Sequence, residues 1–230
     1  MAAPHEALAA AGQLVLLAVL AAAAGLGPVG ALAAPAYLVC LLALLGRALR
    51  RTGQRPGAAD HVTLGRAVLV GGVTALVTDQ LVTGTTSVPA LVGVAAVALA
   101  LDAVDGHVAR RTGTASAVGA RFDMEVDAFL IAVLSVHVAG IVGTWVLAIG
   151  AMRYAFVLAG YAWPWLRGTL PPSYAAKTIA AIQGIVLVVA TAGVLPPGPT
   201  AAIVAVALAL LCWSFGRDVP RLRRLSGAAA

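Results

Sequence analysis

The chain has 230 residues, is 61% hydrophobic and only 10% charged, and carries a formal net charge of +6; its mean hydropathy is +0.99. So few polar side chains cannot cover a water-soluble domain of this size, which excludes one. Its Ala, Leu and Val runs are unbroken rather than alternating with period two, which excludes an outer-membrane barrel and leaves an all-α, polytopic integral membrane protein.

Apolar stretches long enough to cross about 30 Å of hydrocarbon recur between Gly, Pro and Arg breakers. They predict eight helices, at about 8–26, 30–49, 62–82, 88–108, 118–142, 145–166, 175–194 and 199–217. The first two form an N-terminal transmembrane pair within residues 1–50. "ALAAPA" at 31–36 resembles a signal-peptidase site, but no Lys or Arg precedes it and apolar residues follow, so both helices are expected to be retained. Residues 51–59 read as a basic interfacial linker, 60–217 as a six-helix transmembrane core and 218–230 as a basic cytoplasmic tail.

Arginine sets the orientation. Arg47, Arg50, Arg51, Arg55 and Arg66 form one cluster, Arg110, Arg111 and Arg121 a second, and Arg217, Arg221, Arg223 and Arg224 a third. The positive-inside rule places all three at the cytoplasmic face of the cell membrane, where they suit anionic phospholipid head groups. Nucleic acid is not an expected partner. Cys40 and Cys212 lie in apolar runs without metal-ligand spacing and are expected to be buried packing residues. Gln183 is expected to bridge two helices by a hydrogen bond. His5, His61, His107 and His137 form no metal-ligand spacing.

The charge that matters most is acidic. Residues 101–129, "LDAVDGHVARRTGTASAVGARFDMEVDAF", hold five of the nine acids. Asp102 and Asp105, three apart, share a face at the end of the fourth helix; Asp123 and Asp127, four apart, share one at the start of the fifth. Folded as a hairpin, the two helices would gather four carboxylates, and such a group requires protonation or a bound cation. All-oxygen ligands select Mg2+ or Mn2+, and two helices with two carboxylates each can hold two ions, an arrangement suited to displacement at phosphorus. Gly106, Ala109 and Gly119 leave room for a substrate beside the helix backbones, and Arg110 offers a charge for phosphate oxygens. Glu125 lies off the shared face of Asp123 and Asp127. The plainer reading, solvated acids at helix ends neutralised by Arg110, Arg111 and Arg121, suits one or two acids better than four at paired spacings.

At these residues the sequence resembles the CDP-alcohol phosphotransferase family, whose signature is D-x2-D-G-x2-A-R-x8-G-x3-D-x3-D. Asp102, Asp105, Gly106, Ala109, Arg110, Gly119, Asp123 and Asp127 match its eight fixed positions across 26 residues. The resemblance extends from about residue 60 to 217 and leaves out the first two helices. It implies that Asp102, Asp105, Asp123 and Asp127 hold two Mg2+ or Mn2+ ions, with Asp127 also removing a proton from the acceptor hydroxyl. It further implies donor contacts at Gly106, Arg110 and Ser116, and at Asp60 and Thr63 of "DHVT"; without the family, Asp60 is an N-cap of the third helix. Arg153, inside an apolar helix, and Lys177, at a helix start, lie where the family often binds its acceptor. Arg153 suits a phosphorylated polyol such as glycerol phosphate or inositol phosphate, or a structural ion pair; Lys177, a lysine at a helix start on the inner face, also suits a topology signal.

The implied reaction transfers a phosphatidyl group from a CDP-linked lipid donor, such as CDP-diacylglycerol, to an acceptor alcohol, releasing CMP in phospholipid biosynthesis. A homodimer is compatible with the resemblance. A divalent-cation transporter or sensor is the alternative from another class, but it would spread acids along a path, and the outer half holds only Asp79. A non-catalytic family member would have no chemical need for four acids at these spacings.

Overall fold

The computed structural model of the protein describes residues 4–53, 58–112, 117–168, 170 and 173–227, without the side chains at 4–5, 58–61, 103–112, 117 and 226–227. Among the described residues there are eight α-helices and no strand: α1 (Pro4–Ala24), α2 (Pro28–Thr52), α3 (Ala58–Thr83), α4 (Val88–Thr112), α5 (Ala117–Val142), α6 (Leu147–Ala162), α7 (Tyr174–Ala192) and α8 (Pro197–Gly227). Seven are long and apolar enough to cross a membrane; the apolar part of α4, Val88–Asp102, is shorter. Large apolar side chains such as Leu8, Leu14, Leu32 and Leu158 are exposed, as expected of helices whose outer faces meet hydrocarbon rather than water.

Local chemistry sets the helix ends. Gly27 is the N-cap of α2 with Pro28 in the first turn, where a missing N–H is harmless. Ser173 caps α7 by accepting from Ala176 N–H, and Gly193, at φ 64°, closes its other end in the left-handed conformation that glycine adopts without strain. Helix α6 stops at Ala162, before the expected 166. Pro164 holds Trp163 in an extended conformation, and a 3-10 turn, Pro164–Arg167, replaces the last helical turn. Helix α8 runs past the expected 217 to Gly227, so most of the basic tail is helical; Arg224 in its last turn complements the helix dipole.

The chain divides into two compact units, residues 1–133 and 134–230. In the first, α3 is the centre. In its apolar stretch, 78% of residues are buried, against 22–33% in the other spans, and it packs against α1, α2 and α4. Small residues allow this. Gly71 faces the buried Gln13 side chain of α1, Gly72 receives Leu16 and Leu20, and Gly30 of α2 lies against the Ala75 carbonyl and Asp79 Cβ. Close approach of this kind is how helices associate where lipid is as apolar as the side chains. Tyr37 of α2 stacks on Phe129 of α5, ring centroids 4.4 Å apart.

In the second unit α7 and α8 pack together. Gln183 Nε2 donates to the Ala207 carbonyl at 2.8 Å, the interhelical bond expected of it. Phe156 of α6 meets Phe215 of α8 edge to face. One expectation fails: Cys40 and Cys212 are both exposed. In a bundle with so much outward apolar surface, a small apolar side chain has no need of the interior.

The glycine contacts give a paired test. A Cβ at Gly30 would run into a backbone carbonyl, whereas one at Gly93 meets nothing within 4 Å. Gly30→Ala should therefore lower stability by about 1–3 kcal/mol, and Gly93→Ala should leave it unchanged or raise it by up to about 1 kcal/mol. Thermal unfolding of both variants in detergent checks the sign of the difference.

Candidate functional site

The site begins with Arg66, thirteen residues before Asp79 on α3. Its side chain is 1% exposed on a helix covered by its neighbours. A buried guanidinium must be paired, and carboxylates from two other helices meet it. Nη1 lies 2.9 Å from Asp102 Oδ1 on α4. Nη1 also pairs with Asp123, and Nη2 with Asp127, both on α5. The two α5 acids are one helical turn apart, so one face presents both to the same guanidinium.

The three acids are far less buried than the arginine: Asp102, Asp123 and Asp127 side chains are 41%, 37% and 34% exposed. Arg66 therefore closes the inner side of the cluster, and the carboxylates keep an accessible side. Each offers an oxygen, and these oxygens lie within 4.8 Å of one another. At that spacing each like-charge pair repels by about 3 kcal/mol for an effective dielectric near 20, and by less at this exposure. Among the described side chains, three carboxylates against one guanidinium leave two negative charges. The hard-oxygen donor set and that charge fit a divalent cation of the Mg2+ or Mn2+ type.

The other expected residues fall as follows. Asp105, Gly106, Ala109 and Arg110 lie on the helical backbone of α4, with Asp105 three residues beyond Asp102; their side chains are outside the described residues. Ser116 is outside them altogether. Asp60 lies in the first turn of α3, two residues inside its start rather than at its cap, and its side chain is likewise outside the description. Thr63 is buried one turn before Arg66 on the same face of α3. Gly119 and Glu125 are half-buried on α5. Arg153, half-buried on α6, and Lys177, exposed in the first turn of α7, belong to the second unit.

Arg66 is the residue that sequence reasoning missed. Grouped with its arginine neighbours, it passes for a topology signal at the membrane surface. The signal against that reading is its place in "VTLGRAVLVGG", on the expected third helix rather than in the linker before it and three residues after Thr63.

The sequence model of the CDP-alcohol phosphatidyltransferase family matches residues 57–213. No curated protein and no solved structure matches the chain.

Removing the guanidinium should expose the repulsion it now offsets. Arg66→Gln is expected to destabilise the protein by about 1–3 kcal/mol, below the loss for a fully buried pair because the acids are partly solvated. Added Mg2+ should recover more stability in the variant than in the wild type, a difference measurable by thermal unfolding with and without EDTA.

Proposed function

Because the chain belongs to the CDP-alcohol phosphatidyltransferase family, we propose that it joins the phosphatidyl group of CDP-diacylglycerol to a polyol phosphate in a site built on α4 and α5. Phosphatidyl transfer in phospholipid synthesis and multi-pass membrane residence follow from the family and the seven apolar helices. The observation that carries the finer reading is the convergence of Asp102, Asp123 and Asp127, whose carboxylate oxygens lie within 4.8 Å of one another.

In the proposed reaction the acceptor oxygen forms a bond to the β-phosphorus of the donor, and the bond from that phosphorus to the oxygen of CMP breaks. Asp127 takes the proton that the acceptor hydroxyl loses. Asp102, Asp105 and Asp123, with Asp127, are the residues that would hold a pair of Mg2+ or Mn2+ ions. When bound, these would neutralise charge on the phosphate oxygens and the departing CMP. Arg66 fixes the rotamers of Asp123 and Asp127 from the buried side, leaving their other oxygens for ligands. Gly106 and Arg110, with Ser116, Asp60 and Thr63, are assigned to the nucleotide. Arg153 and Lys177 are assigned to the phosphate of the acceptor, with glycerol phosphate and inositol phosphate as the two candidates. The arginines at the ends of α2 and α8 support a cytoplasmic site by the positive-inside rule.

Purified protein given Mg2+, CDP-diacylglycerol and each acceptor in turn should release CMP with one of them. Asp127→Asn should lower the rate by about 10²–10⁴-fold, the range for loss of a general base. Undiminished release by that variant would remove Asp127 from the mechanism, and no release with any acceptor would remove the proposed substrate class. A cysteine placed at Thr114 should resist an impermeant thiol reagent added outside intact cells; labelling there would invert the orientation.

A further inference from the structure

The end of α3 away from Arg66 holds a second charged feature that the phosphatidyl-transfer chemistry does not use. Thirteen helical residues at 1.5 Å each put Asp79 about 20 Å from Arg66 along the helix. Asp79 is 8% exposed. Its Oδ2 accepts a hydrogen bond from Gly27 N–H, at the start of α2, at 3.1 Å. Its Oδ1 is buried without a hydrogen-bond partner among the described residues.

Asp79 also lines a cavity of about 300 Å3. One wall is the turn between α1 and α2, Ala24, Gly25 and Leu26; the other is the turn between α3 and α4, Thr85, Thr86 and Ser87. The second turn is tied to α3. Thr85 N–H donates to Thr83 Oγ1 at 3.3 Å, and Thr86 Oγ1 donates to the Leu76 carbonyl at 3.4 Å. The lining residues supply a carboxylate and three hydroxyls, and no Lys, Arg or His is among them.

Chemistry limits what fills this space. An ionised Asp79 lacks a basic side chain to balance it, and the Gly27 N–H with the start of α2 offers only part of a charge. A buried carboxylate in that position is paired or coordinates a cation. Donors that are all oxygen select a hard ion, and one negative charge with neutral hydroxyls matches a single positive charge better than two. The volume, many times one water's share of about 30 Å3, leaves room for an ion with water still attached.

We infer that this cavity is a site for a monovalent, sodium-like cation, held by Asp79 with Thr85, Thr86 and Ser87, at the opposite end of α3 from the Arg66 cluster. Binding there would join both turns to α3 and so strengthen the docking of α1 and α2 on the helix that carries Arg66.

The test is thermal unfolding of the full-length protein in detergent. Sodium chloride is titrated against choline chloride at constant ionic strength, with Mg2+ fixed and neither donor nor acceptor present. At a hundredfold the dissociation constant, sodium should raise the melting temperature by about 5–10 °C. Asp79→Asn can still accept from Gly27 N–H, so it should fold and lose the sodium response. Thr86→Val combined with Ser87→Ala should weaken that response while keeping the carboxylate. Equal melting in sodium and choline, or a full response in Asp79→Asn, would overturn the site. Stabilisation by calcium or ethanolamine but not by sodium would overturn the ion assigned to it. None of these outcomes depends on CMP release.

Discussion

A guanidinium at 1% exposure, on a helix covered by its neighbours, fixes much of the first unit. Arg66 cannot reach water, so its charge must be met by carboxylates, and those present come from α4 and from α5. Losing any one helix from this arrangement would strand charge in an apolar surrounding. The ion pairs therefore act less as a source of stability than as a constraint on which helix lies beside which. They also explain how acids more than twenty residues apart in sequence, Asp102 and Asp123, come to share one centre.

The same constraint prepares the chemistry. One guanidinium neutralises part of the charge of three carboxylates, so the acids can be gathered before any cation arrives, yet the excess still attracts one. Arg66 is buried and the acids are about one-third exposed, which sets the inner and outer sides of the site. Positions held by helix packing are more exact than positions held by loops, and phosphoryl transfer depends mainly on positioning and charge. Glycines supply the precision here: Gly30, Gly71 and Gly72 let α1 and α2 approach α3 closely, so the helix that bears Arg66 has little freedom to slide.

Much of this was legible in the sequence because membranes simplify the code. Apolar runs interrupted by Gly, Pro and Arg gave eight helices, and a spacing of four put Asp123 and Asp127 on one face, which meets Asp102 at Arg66. The differences arise where a local rule competes with a run of hydrophobic residues. Pro164 ends α6 early through its effect on Trp163, and α8 continues through Pro220 to Gly227. Cys40 and Cys212 were misread by a burial rule learnt from soluble proteins. Arg66 was misread because charge near a membrane edge is usually a topology signal; only the tertiary fold, which brings three acids to it, distinguishes a buried arginine from a surface one.

The two N-terminal helices lie outside the family match at residues 57–213, yet they are not appended to a finished core. They share a compact unit with α3, and three contacts bind them to it: Gln13 on Gly71, Gly30 on Ala75, and the Gly27 N–H on Asp79. Each uses a small residue or a carboxylate that would otherwise face lipid, and a carboxylate facing lipid is among the most unfavourable arrangements a span can hold. Asp79 therefore makes sense on α3 only with α2 beside it, just as Arg66 makes sense only with α4 and α5. One helix thus carries opposite charges at its two ends: Arg66 meets the carboxylates of α4 and α5, and Asp79 accepts the Gly27 N–H of α2 through one of its two oxygens. The N-terminal pair is a structural requirement of the helix at the centre of the site.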